Sequence, residues 1–408
     1  MGQPPREGAR MRYISLFSGI GGLEHPRIAP VLACESDPQC VAVLERRYPG
    51  LEVHRDIVTL TPPEAEMVVG GWPCQDLTSA GLMAGLRGDR SGLFFEMVRV
   101  AADAKAHTIV GENVPNLLSM RQGAEFQLVL EALRVAGYPF VGWRTLNSRE
   151  FGLPQERRRV FVVASKHREL AHSVHAALPS APAAGTLPTL AASGFYWTGG
   201  GRSLCLSHGY TPALKIGASD GGGRAPIAVF YGTTVRKLSA NEILRLQGFE
   251  MEHFEELRAS DVLRMAGNAV SRPVGEFVLD AVSSEAPSAG SKAGFAVLDE
   301  HGVYEDGMTW SIQHQDRPLA EDLGRFLDLG SRDSLSAQAA AGLLVRTIRS
   351  GYTIPLDLFD VLLALSSTRS GPMKPSRGDS FKALDEEVDV AAYRQALLRS
   401  GNRYRVGT

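Results

Sequence analysis

Residues 12–22 read RYISLFSGIGG. Arg12 to Phe17 is a short apolar run of strand type, carried by Tyr13, Ile14 and Leu16, and Gly19, Gly21 and Gly22 break it at once. Glycines at the end of a strand let the backbone turn tightly and approach a ligand closely. A second strand is expected over Val31 to Glu35. It ends on an acidic side chain, which is where a carboxylate can take ribose hydroxyls. Asp56-Ile57 follows a later strand and suits an adenine by one polar and one apolar contact. The phosphate pattern GxGxxG is not matched and no Walker lysine is present. Together these residues favour S-adenosylmethionine over a dinucleotide. Alone, they are equally compatible with a glycine turn in any α/β protein.

Outward from this stretch, the first half of the chain alternates apolar runs with amphipathic segments. Pro38 to Tyr48 has helical spacing, Met67 to Gly70 is a buried run, and Leu93 to Ala104 is helical. Thr108 to Gly111 is a strand, Gln127 to Ala136 a helix and Val160 to Ala164 a strand. Strands separated by helices imply a mostly parallel sheet covered on both faces. The texture then changes. Residues 166–235 are loop-rich, with Pro and Ala over 178–185 and Gly, Ser and aromatics over 194–223. Helical spacing resumes at Arg236 to Gly248 and at Val274 to Val282. Residues 283–294 read as a flexible linker. Beyond it, 295–408 has helical segments at Ala337–Ile348, Pro355–Leu365 and Val390–Arg399.

The chain has 408 residues, 44% hydrophobic and 22% charged, with a net charge of −2. This is globular composition, and it argues against a purely electrostatic nucleic-acid binder. No run approaches the ~20 apolar residues that cross a membrane. The first residues lack the apolar core of a signal peptide, so a cytoplasmic protein is expected. The four cysteines, Cys34, Cys40, Cys74 and Cys205, show neither zinc spacing nor a disulfide framework. No metal is expected.

Three short blocks carry the chemistry. GGWPCQ at 70–75 puts Cys74 on a loop leaving a strand, at the sheet edge where ligands bind. A thiolate there is a strong nucleophile, although a lone Cys in a turn is more often structural. GENVP at 111–115 puts Glu112 at another strand end. QERRRVF at 155–161 spaces Arg157 and Arg159 two apart, on one face of an extended segment. Each block alone is unremarkable.

In order, however, they resemble one family. FSGIGG, Glu35, Asp56-Ile57, PCQ at 73–75, GLFFEMVRV at 92–100, ENV at 112–114, QERRRVF, RKLSANEILRLQGF at 236–249 and GNAV at 267–270 are similar to the ordered blocks of the cytosine carbon-5 DNA methyltransferases. The resemblance covers residues 12–282, about two-thirds of the chain. It implies an α/β, Rossmann-like, S-adenosylmethionine-dependent catalytic domain made of 12–165 plus 236–282. It also implies a small loop-rich target-recognition domain at 166–235. The linker over 283–294 and the mostly helical C-terminal extension over 295–408 lie outside the resemblance.

The resemblance further implies roles. Cys74 attacks carbon 6 of cytosine, Glu112 bonds the base at ring nitrogen 3, Arg159 contacts the base and Glu112, and Arg157 supports the same pocket. Phe17, Ser18, Gly19, Gly21, Glu35, Asp56, Ile57, Pro73, Leu93, Asn268 and Ala269 hold S-adenosylmethionine, which leaves as S-adenosylhomocysteine. Base flipping is implied because the target carbon is inaccessible inside a duplex. Gln75 and a closing loop over 76–92 carry DNA contacts with Arg87 and Arg90, and Arg202, Lys215 and Arg224 do so from the recognition domain. Two departures stand out: Ser36 where an aromatic is common, and Asn241 where Arg is common. The expected partner is double-stranded DNA, bound by a monomer. In a restriction–modification setting the endonuclease would be a separate chain. A tRNA methyltransferase is the first alternative, but the Cys-Phe-Thr tripeptide of that subgroup is absent. A catalytically dead DNA-binding regulator is the second, and the intact Cys74, Glu112 and Arg159 set argues against it.

Overall fold

The computed structural model describes residues 11–25, 28–73, 92–175, 192–196, 206–214, 227–283, 294–299, 302–305, 323–325, 327–328, 335–350, 354–367 and 390–399. Cys74, Gln75, Arg87, Arg90, Arg202, Lys215 and Arg224 lie outside them, as does most of the expected linker.

The chain opens with strand β1 (Tyr13–Leu16) and β2 (Leu32–Cys34), then a helix over Pro38–Arg47. That helix is locally specified: Asp37 accepts from the Gln39 and Cys40 amides as N-cap, Pro38 fills the first position, and Arg46 and Arg47 occupy the last turn. Strands β3 (Val53–His54) and β4 (Met67–Gly71), helix Leu93–Asp103, and β5 (Thr108–Asn113) follow. Helix Ala124–Val135 then leads to β6 (Phe140–Asn147), β7 (Gln155–Glu156) and β8 (Arg158–Ser165). Among the described residues these strands, with β7 set aside, join a nine-stranded sheet completed by two strands from far along the chain. Those two strands are β14 (Gly294–Asp299) and β15 (Gly302–Glu305), and the order of the sheet is β15-β14-β6-β8-β5-β4-β1-β2-β3.

The half from β5 to β3 is parallel. From β8 outward every pairing is antiparallel. The sheet is therefore mixed rather than mostly parallel as the alternation of elements implied. Alternate residues feed two cores. Ile14, Val68, Ile109, Val160 and Val162 face helices Leu93–Asp103 and Ala124–Val135. Tyr13, Met67, Val69, Val110, Phe161 and Val163 face Val274, Val278 and Val282 of helix Arg272–Ser283. Both faces are covered, so the strands read as continuous apolar runs.

The loop-rich region holds β9 (Ala192–Tyr196), β10 (Leu206–His208), β11 (Thr211–Pro212), β12 (Ile227–Tyr231) and β13 (Thr234–Lys237). Four of them form an antiparallel sheet, β10-β9-β12-β13, and β11 pairs with β7. Arg236 and Lys237 thus end a strand, and the helix expected from Arg236 starts at Ala240. Ser239 ends the strand reading because it caps the helix, accepting from the Glu242 amide while Glu242 returns to the Ser239 amide. Helices Ala259–Asn268 and Arg272–Ser283 follow. The extension is mostly helical, with helices Ala337–Ser350, Leu356–Ser367 and Val390–Arg399, but it begins with a hairpin. Strands β14 (Gly294–Asp299) and β15 (Gly302–Glu305) add to the main sheet beside β6. Among the described residues no helix is long and apolar enough to cross a membrane.

Among the described residues the connection from β1 to β2 contains no helix, and helix Arg272–Ser283 packs directly onto it. A Cβ on Gly275 would overlap the Gly22 carbonyl, and one on Gly22 would overlap that of Val270. Gly275→Ala is therefore expected to cost about 1–3 kcal/mol, the range for overpacking. Urea denaturation of the purified protein measures it.

Candidate active site

Parallel strands present their C-terminal ends to one edge, and the crevice opens where the strand order reverses. Here that is between β1 and β4, because the chain runs from β1 to β2 and β3 on one side before crossing to β4 and β5 on the other. A cavity of about 590 Å³ lies there. Phe17, Ser18, Gly19, Glu35, Asp56, Ile57, Pro73, Leu93, Asn268 and Ala269 all line it, as do Glu112 and Arg159. Strands lie ~4.8 Å apart, so β2 and β5 hold Glu35 and Glu112 roughly 14 Å apart across the crevice.

The glycine loop is held from below. Phe17 and Gly19 take left-handed backbone angles, φ 54° and 56°, a conformation that costs energy for a side chain as large as Phe. The Gly19 amide donates to Glu35 (2.7 Å), whose other oxygen accepts from the Asp37 amide (2.7 Å). Ser18 donates to the Ser15 hydroxyl (2.8 Å), and Ser15 donates to Glu24 (2.6 Å). Glu24 is fully buried. Burial raises its carboxyl above the ordinary range, against the opposing effects of Ser15 and Arg47. Gly21 does not line the cavity as expected. Its carbonyl accepts from Arg47 (3.0 Å), and the Arg47 guanidinium fills the space where its side chain would point.

At the other side, β5 ends in Glu112 and Asn113 and pairs antiparallel with the start of β8. Arg159 Nε reaches Glu112 Oε1 at 2.9 Å, with both side chains mostly buried. Desolvation raises the Glu112 pKa, and the nearby Arg159 and Arg157 charges oppose it. The net shift is upward, toward a carboxyl that holds its proton more readily. Asn113 donates to the Trp72 carbonyl (3.0 Å) and accepts from the Val114 amide (2.8 Å). It thereby fixes the backbone entering Pro73, the last described residue before Cys74. Gly111 is required because the Trp72 ring occupies the space a Cβ would take.

Arg157 departs from expectation. The strand breaks between β7 and β8 at this residue, so the two-residue spacing does not put Arg157 and Arg159 on one face. Arg157 is 2% exposed and is not among the residues that line the cavity. It donates to the carbonyls of Ala269 (2.6 Å), Gly267 (3.2 Å) and Leu214 (3.4 Å). Gln247 bonds Ala266 O (2.6 Å), and Gln155 bonds Leu246 O (2.7 Å) and the Leu214 amide (3.0 Å). This buried network fastens the segment bearing Asn268 and Ala269 to the strands bearing Arg159. Sequence reading assigned no role to Gln155, Gln247, Asn113 or Arg264. Each lies inside or beside a recognised block, but glutamine, asparagine and arginine carry no spacing signal of their own. Arg264 also lines the cavity and pairs with Asp37.

Of the other cysteines, Cys34 and Cys40 are buried and free. Burial, then the charges of Glu35 and Asp56, pushes the Cys34 thiol up to about 12, and burial raises Cys40 as well. Neither supplies thiolate at neutral pH. Among the described residues no group of side chains could hold a metal ion.

The C-5 cytosine-specific DNA methylase family matches residues 11–191. The Type II methyltransferase M2.BsuMI of Bacillus subtilis (strain 168) is 33% identical over 290 residues, covering 66% of this chain and 74% of its own length. M.NgoBI of Neisseria gonorrhoeae is 31% identical over 323 residues, covering 69% of this chain and 96% of its own. The chain belongs to the C-5 cytosine-specific DNA methylase family. It is a DNA (cytosine-5-)-methyltransferase of α/β, Rossmann-like fold. M.SsoII of Shigella sonnei is 26% identical over 307 residues, covering 66% of this chain and 79% of its own length, so about a third of this chain lies outside each of these three matches.

The two arginines are separable by experiment. Arg157→Met removes charged hydrogen bonds worth about 1.5–3 kcal/mol each and should lower both the melting temperature and the affinity for S-adenosylmethionine. Arg159→Met should lower turnover while leaving that affinity within about threefold. Thermal denaturation and titration calorimetry distinguish them; equal loss of ligand affinity in both would contradict the assignment.

Proposed function

We propose that this methyltransferase transfers a methyl group from S-adenosylmethionine to carbon 5 of a cytosine flipped out of double-stranded DNA, within a short specific sequence. The observation that carries the reading is the Glu112–Arg159 pair, set in the same cavity as the Glu35 carboxylate.

The residues present fit the donor. A carboxylate offers about four lone-pair positions; Glu35 uses two on the Gly19 and Asp37 amides and keeps the rest for ribose hydroxyls. Asp56 and Ile57 offer the polar and apolar contacts an adenine needs. Phe17, Ser18, Gly19, Pro73, Leu93, Asn268 and Ala269 complete the walls. When bound, S-adenosylmethionine supplies an electrophilic methyl group.

The chain's own residues prepare the base. Cys74, the next residue after Pro73, adds through its sulfur to carbon 6, and carbon 5 becomes nucleophilic. Glu112, whose hold on a proton is strengthened by burial, donates a hydrogen bond to ring nitrogen 3 and stabilises the charge that develops there. Arg159 contacts the base oxygen and orients Glu112. After methylation the carbon-5 proton leaves and Cys74 is eliminated. Gln75, Arg87 and Arg90 from the closing loop, and Arg202, Lys215 and Arg224 from the recognition region, contact DNA. The printed names of the relatives are those of Type II methyltransferases. We place this chain in such a restriction–modification setting, as a cytoplasmic, nucleoid-associated monomer with any endonuclease a separate chain.

Bisulfite sequencing of DNA from cells expressing the protein should find protected cytosines confined to one short sequence. No protected cytosine, or protection in tRNA alone, would overturn the reading. Glu112→Gln should lower turnover by about 100-fold or more while the protein stays folded. A wild-type rate would remove Glu112 from the acid role.

A further inference from the structure

The four-stranded sheet β10-β9-β12-β13 has partners on both faces. Along β12, Ile227 and Val229 point to one side, where they pack with Leu214, Leu238 and residues of helices Ala240–Leu246 and Ala259–Asn268. Ala228 and Phe230 point to the other, with Phe195 and Val235. That second face is covered by the C-terminal extension: Leu343 and Leu344 of helix Ala337–Ser350, and Leu358, Phe359 and Leu362 of helix Leu356–Ser367. Phe195, Ala228, Leu358 and Phe359 are fully buried. Arg394 locks the last helix onto Asp360 with two bonds, 2.8 and 2.9 Å.

A second joint is polar. Arg236 of β13 makes a bidentate pair with Glu242 (2.6 and 2.8 Å), both side chains at most 1% exposed. Asp328, from the extension, closes this pair with its backbone. Its carbonyl accepts from Arg236 (3.0 Å) and its amide donates to Glu242 (2.5 Å). The Leu323 amide donates to the Gly209 carbonyl (2.8 Å). Buried ion pairs demand full satisfaction, and here part of it comes from a segment outside the resemblance that named the family.

We propose that the described part of the extension, Asp328 with helices Ala337–Ser350, Leu356–Ser367 and Val390–Arg399, is the second half of the sequence-reading module: it braces the recognition sheet and so determines how well the enzyme discriminates its DNA site. This rests on the reading that the 166–235 region contacts DNA. In this arrangement Leu343, Leu358 and Asp328 are positioning residues. They touch no substrate, and they set the orientation of strands that lead into the connections carrying Arg202, Lys215 and Arg224.

The test uses the full-length enzyme with two duplexes, one carrying the site found by bisulfite sequencing and one lacking it. The readouts are the affinity ratio for the two duplexes, S-adenosylmethionine affinity, and hydrogen exchange over residues 227–237. Leu358→Asp should reduce the ratio at least tenfold and abolish protection of 227–237, with donor affinity within about twofold. The milder Leu343→Ala should reduce the ratio severalfold, and Leu358→Met should restore it. An unchanged ratio in Leu343→Ala despite lost protection overturns the proposal. So does parallel loss of donor affinity in both Leu343→Ala and Leu358→Asp, which would make the extension a support for the whole fold. Combined Arg202→Ala, Lys215→Ala and Arg224→Ala should also reduce the ratio. If it does not, the recognition region is not the reader, and the proposal falls with that premise even where exchange shows the two elements coupled.

Discussion

Glu112 and Arg159 meet because β5 and β8 run antiparallel. In the parallel half of the sheet, strand ends on one edge all come from C-termini, which offer loops of similar character. Inserting one antiparallel strand brings an N-terminal end to that edge, and Arg159 arrives opposite the residues that follow Glu112. The result is a carboxyl held between two opposing influences: burial that favours the proton and a guanidinium 2.9 Å away that favours the charge. Burial wins. A carboxyl so balanced can bond a neutral ring nitrogen and still answer the charge that builds there.

That pair works only if distant segments stay registered. Asn268 and Ala269 line the same cavity, yet lie more than a hundred residues beyond Arg159. Arg157, Gln155 and Gln247 bridge the gap, their side chains gripping main-chain carbonyls and amides of the facing segments. The Gly22–Gly275 approach does the same for the glycine loop. The catalytic half is assembled from both ends of its sequence, and the extension is joined to it by the buried Arg236–Glu242 pair.

Much of this was legible in the sequence for physical reasons. Strands β1, β2, β4, β5 and β8 are buried on both faces and read as apolar runs. Glu35, Glu112 and Arg159 sit at strand ends within distinctive blocks, and all three line the cavity. Strands β9, β10 and β13 of the loop-rich region were hidden because glycine or polar residues interrupt their apolar pattern, and β14 and β15 lie in the extension that was expected to be mostly helical. The shared face expected for Arg157 and Arg159 fails because spacing alone cannot show a strand break. Gly21 is absent from the cavity lining, because a glycine can serve a neighbouring arginine as readily as a ligand.

The central claim is that this cavity brings a cytosine to a cysteine nucleophile. Its most direct test is covalent trapping on a duplex carrying 5-fluorocytosine at the methylated position, with S-adenosylmethionine present, scored on a denaturing gel. The account predicts a stable protein–DNA adduct with the wild-type enzyme and none with Cys74→Ala, although that variant still binds S-adenosylmethionine. An adduct of undiminished yield in Cys74→Ala, or none in an active wild-type enzyme, would contradict it.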